Sequence, residues 1–292
     1  MSLIIDATIT GILTGGVYAL MASGLTLVFG VMDIINIAQG ALVMLGAYMS
    51  YALEQNLHLD LFLGLFITMP AMFIIGMLTQ WLFIRPLKQD RTMLSILVTY
   101  GVALIIEGIL TIFFSTTPVN LHAPYVTQSI QIGDFHLAYI YVYGFLLSVA
   151  LLAGLYLLLY QTKFGQSLRA SMQNRTAAEL IGINVNRVSA ITFGIASALT
   201  AAGGMVYGAT TPQFNPNNAY DLISRLLAII IFAGMGSLNG ALIAAVIMLV
   251  VENITAVVWS PTWSSTVFYV LLIAILILRP QGLLGKLEGR KQ

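Results

Sequence analysis

Residues 30–41 read Gly-Val-Met-Asp-Ile-Ile-Asn-Ile-Ala-Gln-Gly-Ala, placing Asp33, Asn36 and Gln39 at every third position between two glycines. An unpaired polar group in hydrocarbon costs several kcal/mol. Three of them together need a structural reason if this stretch lies in a membrane, and composition says that it does. Of 292 residues, 59% are hydrophobic and 8% charged, where a soluble domain carries about 25% charged residues. Mean hydropathy is +0.94. Residues 1–292 are expected to form one membrane domain, with no soluble domain of useful size.

The same composition excludes several classes of function. Net charge is +1, and no basic stripe or nucleic-acid motif is present, so no nucleic-acid partner is expected. The absence of cysteine rules out disulfides, thiol catalysis and cysteine metal sites. No Gly-x-x-x-x-Gly-Lys-Ser/Thr, His-Glu-x-x-His or Gly-x-Ser-x-Gly motif occurs. The three histidines lie in loops and form no spaced ligand set. Catalytic residues, a metal site and a cofactor of this chain's own are therefore not expected. The first ten residues lack the basic start and small-residue cleavage site of a signal peptide, so the first helix is expected to be retained.

A helix needs about 20 apolar residues to cross a bilayer core. That length predicts spans at 8–30, 34–53, 61–84, 93–115, 138–160, 188–211, 241–259 and 265–279, with a short apolar piece at 222–234. Eleven of the twelve Lys and Arg fall in three segments. These are Arg85, Lys88 and Arg91; Lys163, Arg169, Arg175 and Arg187; and Arg279, Lys286, Arg290 and Lys291. The positive-inside rule makes all three cytoplasmic. The opposite loops hold Glu54, His58, Asp60, His122, Asp134, His136 and Asp221, with Arg225 as their only basic residue. Parity between the 161–187 loop and the C-terminal tail then requires 222–234 to cross as well. The expectation is an all-α membrane protein with nine crossings, N-terminus out and C-terminus in. Four spans on each side of a central fifth start from opposite faces, the arrangement of an inverted repeat.

Two loops have patterns of their own. In the outer loop 116–137, Val-Thr-Gln-Ser-Ile-Gln-Ile alternates and is followed by Gly-Asp, which predicts a short hairpin or lid. In the inner loop 161–187, Thr176-Ala-Ala-Glu-Leu180 predicts a short helix ended by Gly182. That helix would be basic on one face and apolar at Ala177, Leu180 and Ile181. Such a shape suits a groove on a partner or the lipid headgroup layer.

Five motifs in this order resemble the LivH-type permeases, the membrane subunits of branched-chain amino acid ABC importers. They are Gly15–Gly30; Ile34–Gly40; Arg169–Val188, with its Arg-Thr-Ala-Ala-Glu-Leu-Ile-Gly-Ile core; Gly234-Met-Gly-Ser-Leu-Asn-Gly240 with Ala241; and Arg279-Pro-Gln-Gly-Leu-Leu-Gly285. The resemblance runs from about residue 11 to 285. It implies that Arg175, Thr176, Ala177, Ala178, Glu179, Leu180, Ile181, Gly182 and Ile183 form a coupling helix seated in a cytosolic ATPase. It also implies a second, related permease completing a heterodimer, two ATP-binding subunits that hold the ATP and Mg, an extracytoplasmic solute-binding protein, and a place in the bacterial inner membrane. The substrate would be a branched-chain amino acid or a similar small polar metabolite. The rival classes are a secondary carrier, which needs a coupling-ion site near the midplane, and a channel, which needs no exposed apolar helix on its inner loop.

Several polar residues remain to be placed. Asp33 is expected at the turn between spans one and two, capping the second helix. Asn36 and Gln39 would follow within that helix. Steps of three fan the polar side chains over about 120°, facing either a neighbour helix or the path, and the resemblance favours the path. Glu107 lies mid-span and Glu252 near the outer end of its own span, with no cation expected at their depth. An ionisable group in a span suggests a functional site, and helix packing is the alternative. Asp221 and Arg225 could form a local ion pair or meet the docking binding protein. Gly234–Gly240 is either an intramembrane break or a tight turn, and topology favours the turn.

Overall fold

The computed structural model describes residues 2–87, 91–132 and 135–285. Lys88, Asp134, Lys286, Arg290 and Lys291, used above for sidedness, lie outside the described residues. The chain folds as α1 (Ser2–Met32), α2 (Gln39–Leu57), α3 (Leu61–Thr79), α4 (Arg91–Phe114), α5 (Pro124–Thr127), β1 (Ser129–Ile132), β2 (Phe135–Ala138), α6 (Tyr139–Gln161), α7 (Lys163–Gln173), α8 (Arg175–Leu180), α9 (Val185–Thr210), α10 (Asn218–Ala233), α11 (Leu238–Val258) and α12 (Pro261–Leu278). A π turn, Gln80–Ile84, prolongs α3. Local chemistry sets many of the ends. Asp60 accepts from Phe62 N at 2.9 Å to start α3, and Ser237 accepts from Gly240 N at 3.1 Å to start α11. Ser260 accepts from Thr262 N at 3.3 Å, with Pro261 as the first residue of α12. Proline suits that position, where its missing N–H removes nothing.

Among the described residues, seven helices are long and apolar enough to cross a membrane: α1, α3 with its π turn, α4, α6, α9, α11 and α12. Two expected spans are not among them. The second span was expected from residue 34, but α2 begins only at Gln39, and 33–38 is irregular. The short piece expected at 222–234 belongs to the 16-residue α10, about 24 Å long at 1.5 Å per residue.

The bundle is built around α1 and α9, with 72% and 78% of their most apolar windows buried, against 6% for α12. Close helix approach explains their glycines. A Cβ on Gly11 or Gly15 of α1 would lie 2.6 or 2.8 Å from the α11 backbone at Val250 or Val246. Small residues four apart let helix backbones approach where no hydrophobic force distinguishes helix from lipid. α9 packs along α3 in the same way: a Cβ on Gly76 would lie 2.7 Å from Ser197 Cβ.

At one end of the bundle β1 and β2 pair antiparallel, Ser129 opposite Ala138 and Ile132 opposite Phe135, which meets the hairpin expectation. The same loop is tied down twice. Val119 and Phe214 exchange two backbone hydrogen bonds of 2.9 Å, and Tyr125 donates to Asp60 Oδ2 at 2.8 Å. Burial and the adjacent Asp60 carboxylate hold the Tyr125 hydroxyl well above its usual range. At the opposite end Gly234-Met-Gly-Ser-Leu-Asn-Gly240 is a tight turn, with Gly234 and Gly236 at φ 93° and 83°. The chain after α12 crosses this turn closely: Leu283 N donates to Phe232 O at 2.8 Å and Leu284 N to Ala233 O at 3.0 Å.

Candidate functional site

The opening stretch is where the helical pattern breaks. Asp33 ends α1 in a left-handed conformation, φ 53°, its N–H donating to Phe29 O at 2.8 Å. The expected cap is therefore absent: the residue before α2 is Ala38, which offers no side-chain hydrogen bond. The chain then turns back alongside α1. Gln39 donates to Met21 O at 3.5 Å, and Met21 lies eleven residues before the end of α1, about 16 Å back along the axis. α2 thus starts deep inside the bundle.

Backbone groups freed in such a break must find partners within the protein. α4 supplies them. Thr92 donates to Asp33 O at 3.0 Å. The Thr99 hydroxyl accepts from Ile37 N at 3.0 Å and donates to Ser95 O at 2.6 Å. Asn36 and Gln39 are both fully buried. Asn36 donates to Gln39 Oε1 at 3.1 Å, and Gln39 donates to Thr200 Oγ1 of α9 at 2.5 Å. Asn36 lies in the irregular segment rather than in a helix, so the expected fan of polar side chains on one helical face does not form. In this conformation Asn36 and Gln39 form a polar knot joining α1, α2 and α9.

α10 begins in the same place. A Cβ on Gly40 would lie 3.0 Å from Ile223 Cβ and would collide with Ala219 O. The first turns of α2 and α10 therefore lie side by side. The 211–217 link has returned from the end of α9 to the level of Thr200, ten residues or about 15 Å back. This link closes on itself: Asn215 N donates to Asn218 Oδ1 at 2.8 Å, and Asn217 N donates to Asn215 Oδ1 at 3.0 Å. Its Phe214 is buried against Tyr48, ring centroids 5.2 Å apart, and Tyr48 stacks obliquely on Phe114 at 4.8 Å. The Phe-Asn-Pro-Asn-Asn run at 214–218 was a turn signal that the sequence reading passed over, and Thr99 and Thr200 carried no local signal.

Two half-enclosed polar groups flank this junction. Tyr220 donates to Glu107 Oε2 at 2.6 Å, and Tyr220 and Tyr100 are each about 40% exposed. Arg225 corrects the expectation that no cation reaches Glu252. It donates to Glu252 Oε1 at 2.6 Å, to Asp221 Oδ2 at 2.9 Å and to Ser265 Oγ at 3.2 Å, joining α10, α11 and α12. The ion pair with Asp221 is thus present. With its side chain 16% exposed, Arg225 has little surface to offer a docking protein.

The expected coupling segment forms a separate knob, capped at both ends. Asn174 accepts from Ala177 N at 3.0 Å. At the other end of α8, Gly182 N donates to Glu179 O at 3.1 Å and Ile183 N to Ala178 O at 3.0 Å, with Gly182 at φ 86°. This pairing closes a helix through a left-handed glycine. Arg175 bonds Glu179 and Asn186, each at 3.3 Å. Ala178 is buried, while Leu180 and Ile181 stand 84% and 74% exposed. Thr176 and Ala177 share the exposed side.

Comparison with known proteins agrees along nearly the whole chain. The family model described as branched-chain amino acid transport system / permease component matches residues 7–276. The high-affinity branched-chain amino acid transport system permease protein BraD of Pseudomonas aeruginosa is 25% identical, over 97% of this chain and 96% of BraD. LivH of Salmonella typhimurium is 26% identical, over 96% and 95% of the two chains. The probable LivH of Methanocaldococcus jannaschii is 28% identical, over 94% and 90%. No solved structure matches. With seven apolar helices of membrane length among its described residues, and matched over most of its length by this model, the chain belongs to the family of branched-chain amino acid transport system permease components.

Proposed function

We propose that this chain is the transmembrane subunit of an ATP-driven importer for branched-chain amino acids or a similar small polar metabolite. The observation that carries the reading is the α8 knob. Exposing Leu180 and Ile181 on a rigidly capped turn costs solvation unless a partner covers them. Cytosolic ATPase subunits are that partner, and ATP itself binds there. The Arg175–Ile183 segment transmits their closure through α7 and α9 to the bundle.

The topology proposed is nine crossings, with α2 and α10 as the two short ones, N-terminus out and C-terminus in. An inverted repeat relates α1–α4 to α9–α12. The packing supports it: exchanging the halves turns the α1–α11 contact into α9–α3, α2–α4 into α10–α12, and α2–α3 into α10–α11, and all of these pairs are in contact. The face bearing Tyr100, Glu107 and Tyr220 cannot look at lipid with a carboxylate. We place it toward the path shared with a second, related permease. A solute-binding protein would deliver substrate at the hairpin end.

The test is reconstitution with the cognate ATPases. Leu180→Asp should leave membrane insertion and folding intact while ATP-driven uptake falls by about tenfold or more, the loss expected when a charge is forced into a desolvated hot spot. Unchanged uptake, or uptake by this chain without any ATPase, would refute the reading.

A further inference from the structure

Beside the α8 knob, a cleft of about 420 Å³ opens between the π turn that ends α3 and the start of α9, lined by Gln80, Trp81, Arg85, Asn184, Asn186 and Arg187. Its chemistry is uneven. Arg85 and Arg187 are exposed, and neither has an ion-pair partner among the described residues. The first turn of the 26-residue α9 adds the positive end of a helix. Two exposed guanidiniums on one cleft suit an anionic ligand.

The side from which that ligand comes follows from Trp81. It lines the cleft, is 55% exposed, and continues into exposed Leu78 and Leu82 on the outer surface of α3 and its π turn. Trp belongs at a membrane interface, and the apolar strip beyond it is a surface for acyl chains. Basic pockets at the cytoplasmic boundary of helix bundles hold anionic headgroups. We propose that this cleft binds the phosphodiester of an anionic phospholipid such as phosphatidylglycerol. Arg85 and Arg187 hold the phosphate. Asn186 bonds Arg175 at the cleft edge, so the bound lipid would steady the base of α8. The proposal rests on the topology above only for the leaflet concerned.

The chain contains three tryptophans, and Trp259 and Trp263 lie at the other end of the bundle. The full chain carrying Trp259→Phe and Trp263→Phe therefore reports Trp81 alone. In vesicles brominated in both leaflets, dibrominated phosphatidylglycerol should quench Trp81 with about tenfold preference over dibrominated phosphatidylcholine. Arg85→Gln with Arg187→Gln should reduce that preference to about one, the value without the two cations. Absence of the preference in the parent protein overturns the proposal, and that comparison decides alone if the double variant does not fold. A preference that persists in a folded double variant also overturns it. Abolition of the preference by inorganic phosphate would assign the cleft to a soluble anion, and abolition by added ATPase subunits to a protein contact. Lipid in both leaflets makes the result independent of orientation, so its failure is distinct from failure of the topology.

Discussion

The links 33–38 and 211–217 perform the same task by different chemistry. Each brings the chain back about 15 Å into the bundle, to the place where a short helix starts. The first link, Asp-Ile-Ile-Asn-Ile-Ala, borrows backbone partners from a neighbouring helix: Thr92 and Thr99 come from α4. The second pairs part of its backbone locally, through Asn215 and Asn218, and part with Val119 of the loop after α4. The anchors beyond the links differ too. α2 is tied by the neutral Gln39–Thr200 bond, and α10 by the Arg225–Glu252 ion pair. Both links are backbone paths whose polar groups must be paired within the protein.

The largest expected effect comes from breaking the charged anchor. Arg225→Met leaves Glu252 enclosed without its cation and should cost about 3–5 kcal/mol. Adding Glu252→Leu should restore most of that loss, because a buried pair replaced by apolar residues is often neutral. Thermal unfolding of purified protein in detergent reads both, and equal instability of the single and double variants would mean that the pair does more than balance charge. Next comes Gly40→Val, which pushes a side chain into Ala219 O and Ile223. It should cost about 2–3 kcal/mol by overpacking, seen as a lower midpoint in the same assay. Thr99→Val keeps the shape but strips Ile37 N of its acceptor. A loss of about 2 kcal/mol is expected, with faster hydrogen exchange confined to 33–38. Asn218→Ala should be mildest, about 1 kcal/mol, because the 211–217 link retains backbone bonds such as Asn218 N to Asn215 O at 3.1 Å. Should Asn218→Ala prove worse than Thr99→Val, the contrast between a link held from another helix and one with local side-chain pairing would be reversed.

The candidate sites were legible to different degrees for the same reason. α8 could be read because its caps lie within a few residues: Asn174 before it and Gly182 after it. The hairpin was readable from the alternation at 126–132. The break at 33–38 was misread as helix because Ile34, Ile35 and Ile37 fit a spanning pattern, while the groups that stabilise the irregular path lie on other helices. Arg225 was assigned to a loop because nothing near it in sequence announces Glu252.

What the sequence determined by itself is whatever rests on composition or on neighbours a few residues apart: membrane embedding, most of the long helices, the capped knob at 175–183 and the hairpin. Tertiary structure alone decided that α2 starts at Gln39, that Asn36 and Gln39 are buried, and that Arg225 meets a carboxylate. The partners involved are 62 residues apart for Ile37 and Thr99, 161 for Gln39 and Thr200, and 27 for Arg225 and Glu252. In a bundle that must pair its backbone groups internally, such choices are made by whichever helix packs alongside.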